Sequence, residues 1–184
     1  MLIIRKYADK WNIDPQKIAV NGYSAGGHLA ASIGTLYNEP WLCDMFKTTP
    51  ENLRPDVMVL AYPVISSDSK IVDEESIVNL TGQTDPENEL YKWVSLENRV
   101  HKNTPAAYIW HTSDDDNVKV ENSLVFANAL AANGIKFELH IFQHGPHGLA
   151  TATRATKTNL DRLSEVCSVW IKESVDFLNS IWEK

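Results

Sequence analysis

Three short stretches hold the residues whose types and spacing could do chemistry: GYSAGG at 22–27, HTSDDDNV at 111–118 and QHGPHGLA at 143–150. A serine hydroxyl is a poor nucleophile at neutral pH. It needs a base to take its proton, and the base needs an acid to orient it. Ser24 supplies the hydroxyl, His144 and His147 are candidate bases, and Asp114, Asp115 and Asp116 are candidate acids. The Gly-x-Ser-x-Gly spacing around Ser24 suits a sharp strand-to-helix turn that lifts the hydroxyl above a sheet, where flanking glycines avoid a clash. Ser24 also has a plainer reading as a helix N-cap. GYSAGG is no phosphate cradle, because it lacks the Gly-Lys-Ser/Thr ending.

Such residues must be carried to one place by the elements around them. Apolar residues at Ile3, Ile4, Tyr7, Ala8 and Trp11 keep a helical period that Asp14-Pro15 breaks. Ile18–Val20 reads as a short strand, and Leu29, Ala30, Ile33 and Leu36 place a helix over 25–37. The run Val57–Tyr62 is continuously apolar, as in a parallel strand covered on both faces, and Ala106–Trp110 repeats the pattern. A helix over 120–133 with Gly134 as its stop leads to a strand over 136–142. Leu160, Leu163, Val166, Cys167, Trp170, Ile171, Phe177, Leu178, Ile181 and Trp182 predict one apolar stripe on a helix running to the end. Strands alternating with helices give an α/β fold with a mostly parallel sheet flanked by helices. All three chemical stretches then follow strand ends, the edge where a parallel sheet presents its site.

At 184 residues the chain fits a single domain, 1–184, with polar segments at 38–54 and 66–104 read as cap-like insertions that wall the site. A net charge of −7 without a Lys/Arg cluster excludes a nucleic-acid surface. No segment has the length or flanks of a signal peptide or a spanning helix, so the expectation is a cytoplasmic protein with no membrane partner. Cys43 and Cys167 stand outside any Cys-x-x-Cys pair and read as packed thiols. His140, His144 and His147 lack the spacing of a metal site, so no metal and no cofactor are expected. His28 reads as packing, and His111 as pointing into the fold near the acid loop. Trp41 and Trp93, in the inserted segments, are the aromatics best placed to contact a sugar ring.

NGYSAGGHLAAS, SLENRV followed by TPAAYIWHTSDDDNVKVENSLVFANAL, and FELHIFQHGPHGL together resemble the acetyl-xylan-esterase-like α/β-hydrolases, carbohydrate esterases of the BD-FAE type. The chain order Ser, Asp, His is that of α/β-hydrolases. The resemblance implies a serine esterase that cleaves small acyl esters, acetyl groups on sugars among them, without a metal. An Asp three positions before Val118 selects Asp115 as the acid, with Asp114 in reserve, and the final His-Gly selects His147 as the base. Lys119 stands where the family has Pro. Ala25 N–H is one oxyanion donor, and Tyr23 and His144 border the substrate space. A serine peptidase of the same fold is the alternative within the enzymes.

The resemblance also sets up an expectation of loss. The family places several strands and a His-Gly-Gly segment before the nucleophile, and no His-Gly-Gly occurs here. An N-terminally shortened fold would lack one oxyanion donor, a loss worth ~100–1,000-fold in rate. It would also leave the Ile18–Val20 strand with an open apolar edge suited to homo-oligomer pairing. A catalytically impaired relative with a binding or assembly role is the remaining reading.

Overall fold

The computed structural model describes residues 1–156 and 164–183. Two short helices, α1 (Leu2–Lys6) and α2 (Ala8–Trp11), precede strand β1 (Ala19–Tyr23), which turns at once into helix α3 (Ala25–Leu36). Helices α4 (Pro40–Phe46) and α5 (Pro50–Leu53) lead to β2 (Val57–Ala61), and α6 (Glu74–Thr81) and α7 (Glu89–Trp93) fill the second inserted segment. Strand β3 (Ala106–Thr112), helix α8 (Glu121–Ala132) and strand β4 (Phe137–Phe142) follow. Helices α9 (Glu165–Ser168) and α10 (Trp170–Trp182) close the chain.

Among the described residues, four strands form one parallel sheet in the order β1-β2-β3-β4. The register runs Ala19 beside Val57, Val57 beside Ala106 and Ala107 beside Phe137, so the strand ends that carry the site residues lie in one row. Every residue of β2 is buried. One face packs Met58, Leu60, Ala107 and Ile109 against Ala30, Ala31, Phe126 and Leu130 of α3 and α8. The other packs Val57, Val59, Tyr108 and Trp110 against Trp170 and Phe177 of α10. Apolar burial on both faces explains why β2 and β3 read as unbroken hydrophobic runs.

Some expectations need correction. The terminal stripe is divided: α9 and α10 meet at Val169, and Val166 (69% exposed) and Ile171 (38%) face outward, while Cys167, Trp170 and Phe177 carry the burial. Leu160 and Leu163 lie outside the described residues. The edge strand β1 is only half-buried, and Asn21 at its centre is exposed, which makes it less apolar than its sequence run suggests. Both cysteines are free thiols, Cys167 buried and Cys43 half-buried. No described helix is long and apolar enough to cross a membrane.

Candidate active site

Ser24 occupies the junction of β1 and α3 with φ 55° and ψ −125°, a left-handed backbone that a non-glycine residue rarely adopts. Its backbone is pinned from two sides. Ser24 N–H donates to Ala61 O at 3.0 Å, while Ser24 O accepts from Gly27 N–H, His28 N–H and Val64 N–H. The turn is tight enough to dictate its glycines. A Cβ on Gly22 would lie 2.1 Å from Gly26 O, and one on Gly27 would lie 2.7 Å from Pro63 Cβ. Gly26 has open space around the same position. The steric demand thus falls on Gly22, the first glycine of the Gly-x-Ser-x-Gly spacing, and on Gly27 just beyond it, while Gly26, the second glycine of the spacing, is under none.

The Ser24 hydroxyl caps nothing in α3. Its Oγ lies 2.7 Å from His147 Nε2, and His147 Nδ1 lies 2.7 Å from Asp115 Oδ2. Asp115 sits in the loop after β3 with its side chain wholly buried, and its Oδ1 accepts from the backbone N–H groups of Asn117 and Val118, each at 3.0 Å. Burial pushes the Asp115 carboxyl up. The bonds from His111, His147 and the two backbone N–H groups outweigh it and hold the group well below the usual carboxylate range. Since Asp115 is ionised and accepts only, His147 Nδ1 carries the proton and Nε2 is left as the acceptor facing Ser24 Oγ–H. Gly27 and His28 N–H donate to Ser24 O, while Ala25 and Gly26, both exposed, stand at the positive N-terminal end of α3, where backbone N–H groups lack intrahelical partners.

The loop bearing His147 is fastened by a residue that sequence patterns did not single out. Tyr62, just past β2 with φ 36°, sets its ring 4.9 Å from the His147 ring, and its hydroxyl accepts from Ala150 N–H at 2.8 Å. The apolar run made Tyr62 read as the last residue of a strand. A positive φ at a tyrosine carries no signature in composition or period.

The remaining candidates fall outside this row of contacts. Asp114 turns outward, where His144 Nδ1 at 3.0 Å and Gly145 N–H hold its carboxyl below the ordinary range. Asp116 is exposed. His144, with Asp114, Asp116, Pro146 and Leu149, lines a cavity of about 490 Å³ that does not include Ser24. His140 contacts Glu138 and Glu173, so the three C-terminal histidines have three separate sets of partners. Tyr23 packs its ring against Tyr62 and Trp170. Trp93 is packed under the Arg99 guanidinium and against the core. Trp41 is 49% exposed on α4, beyond the far end of α3, whose 12 residues rise about 18 Å away from Ser24. His28 is buried and ties α3 to Val94 O through Nε2.

A BD-FAE family model matches residues 2–130. The chain belongs to the BD-FAE family. This BD-FAE chain is 39% identical over 153 residues to endo-1,4-beta-xylanase B of Butyrivibrio fibrisolvens, covering 81% of the chain and 23% of that protein. It is 33% identical over 156 residues to an acetylxylan esterase of Xylanibacter ruminicola, covering 82% of the chain and 30% of that protein. Among solved structures it resembles the acetyl ester-xyloside bifunctional hydrolase of Caldicellulosiruptor lactoaceticus, with TM-score 0.71, 41% identity and coverage of 95% of this chain and 62% of that one. The BD-FAE chain therefore has the α/β-hydrolase fold. It spans about a quarter to a third of the curated relatives it matches.

Proposed function

We propose that the chain carries the reacting residues of a serine ester hydrolase of the carbohydrate-esterase type, acting on small acyl groups such as acetyl. The observation that carries the reading is the unbroken contact from Ser24 Oγ through His147 to the buried Asp115, at 2.7 Å for each link. As the hydroxyl attacks the ester carbonyl, His147 Nε2 takes its proton, and Asp115 stabilises the imidazolium that forms. Ala25 N–H stands beside the nucleophile to receive the oxyanion. His147 then returns the proton to the leaving alcohol, and water repeats the sequence on the acyl-enzyme.

The preference for small acyl groups follows from the inserted segments, whose described helices run from four to eight residues and include no long apolar lid. A carbohydrate alcohol portion is supported by the xylan-directed names of the relatives. The test is hydrolysis of aryl esters of rising acyl length, together with acetate release from acetylated xylo-oligosaccharides. Ser24→Ala is expected to lower kcat by at least about 1,000-fold. Rates should fall as the acyl chain lengthens. Parent-like turnover by Ser24→Ala overturns the reading, and cleavage of peptide anilides without ester hydrolysis replaces it with a peptidase.

A further inference from the structure

A second histidine lies against the acid. His111, on β3, is completely buried, and its Nε2 stands 2.9 Å from Val118 O and 3.3 Å from Asp115 Oδ2, the oxygen that His147 also engages. Both neighbours of Nε2 are acceptors, so the proton of the ring must sit there. Nδ1 then accepts from Ser123 Oγ–H, 2.8 Å away on α8, itself buried. This tautomer satisfies every polar atom of the group, and no other neutral form does.

We propose that His111 is a positioning residue of the site, holding Asp115 in place and weakening it as an acceptor toward His147, with Ser123 fixing the ring. The inference rests on the reading of Ser24, His147 and Asp115 as the reacting residues. Two donors meet at Oδ2 with different demands. The His147 N–H needs a partner strong enough to orient it and to stabilise the imidazolium in the transition state. A carboxylate that is too strong an acceptor would protonate His147 in the resting enzyme and silence it as a base. The fixed His111 N–H withdraws charge from Oδ2 and sets that balance. The ordered chain Ser123–His111–Asp115–His147–Ser24 joins α8, β3, the acid loop and the base loop in one line of polar contacts, with the His111 Nε2–H shared between Val118 O and Asp115 Oδ2.

The other groups around the pair do not duplicate this role. Tyr62, from the turn after β2, presents its ring to both His111 and His147. The backbone N–H groups of Asn117 and Val118 bind the opposite oxygen, Oδ1. Asp114 is turned toward His144, and Asp116 is exposed.

The test compares His111→Leu, His111→Gln and Ser123→Ala in the full chain, each checked for folding by circular dichroism. His111→Leu removes the N–H, whereas the amide of His111→Gln can offer one from a similar reach. In His111→Leu, kcat is expected to fall about 10- to 100-fold with KM little changed, the worth of one hydrogen bond to a charged group. The acid limb of its kcat/KM profile should move up by about one pH unit, because the stronger carboxylate makes His147 easier to protonate. His111→Gln should recover most of both, and Ser123→Ala should show a smaller shift in the same direction. The His147 titration is also followed by NMR in the Ser24→Ala background, which needs no turnover, so a failure of the esterase reading leaves this measurement standing. An unmoved or downward His147 midpoint in both His111→Leu and Ser123→Ala overturns the proposal. So does a Gln variant as impaired as the Leu variant. If His111→Leu does not fold, Ser123→Ala and His111→Gln decide the matter by the same midpoint.

Discussion

Gly22 and Gly26 occupy equivalent places in the motif, yet alanine at the two positions should have opposite effects. An alanine at 22 puts its methyl carbon 2.1 Å from Gly26 O, 2.6 Å from Gly26 C and 2.8 Å from Ala30 Cβ. Ordinary contact is near 3.5 Å or more, so the first turn of α3 must retreat by at least about 1 Å. Two of the three obstructing atoms are backbone, and no rotamer change relieves them. Overpacking of this kind costs at the upper end of its usual range, about 3 kcal/mol. At 2–4 °C per kcal/mol for a chain of this size, melting should fall by about 6–12 °C. The same retreat carries Ala25 N–H and Ser24 with it, and a misplacement of about 1 Å is worth about 100-fold in rate. Alanine at 26 meets nothing within 4 Å and adds a helix former, for a gain of about 0.5 kcal/mol and 1–2 °C. Thermal melts and aryl acetate hydrolysis on both variants make the comparison. A Gly22→Ala protein that melts with the parent, or a Gly26→Ala protein that falls as far as Gly22→Ala, would refute the steric argument.

Tyr62→Phe keeps the ring against His147 and removes the acceptor of Ala150 N–H. It should cost about 1–2 kcal/mol and lower kcat more than it raises KM. A variant with the parent's melting curve and kcat would show that the hydroxyl does not hold the loop. Asp115→Asn should lose about 10,000-fold in kcat by presenting the wrong partner to His147 Nδ1. Its stability offers a separate check. Because the folded carboxyl lies below its unfolded value, Asp115 stabilises the fold fully above pH ~4 and less as the pH falls through the native value. The stability gap between parent and Asp115→Asn should therefore narrow from pH 7 toward pH 3 in denaturant titrations, and a constant gap would contradict the linkage.

How far sequence reasoning reached depends on what the chain must write down. The buried strands needed apolar runs, so Val57–Tyr62 and Ala106–Trp110 stood out by composition, within one residue of the end of β2 and two of the end of β3, and the helices around them by period. The loops at the strand ends were found because Ser24 sits in a Gly-x-Ser-x-Gly spacing and the order Ser, Asp, His across three strand ends is informative. Choosing Asp115 over Asp114 drew on the family pattern around Val118; in the structure that choice is geometric, since Val118 N–H binds Oδ1 while Asp114 faces His144. What escaped was conformation without composition: the positive φ of Tyr62, and the particular glycines that the turn requires. Trp93 shows a related limit of composition. A tryptophan in a polar segment looks like a surface contact until tertiary packing under Arg99 supplies its partner.

The backbone ties around Ser24 and the fastening of the His147 loop divide the site into a fixed half and an adjustable half. Ser24 is bonded to Ala61, Gly27, His28 and Val64, four attachments that leave its junction no slack. The other half turns on positive-φ positions at Gly148, Ala150 and Ala152, held by the Tyr62 hydroxyl and by the Trp170 Nε1–H bond to Ala150 O. Amide exchange should report this asymmetry as slow release of the Val64 proton and faster release of the Ala150 proton. For an engineer the lesson is directional: random variation around the serine elbow will mostly return unfolded protein. Libraries placed in the histidine loop can vary the surroundings of His147 while Ser24 stays where it is.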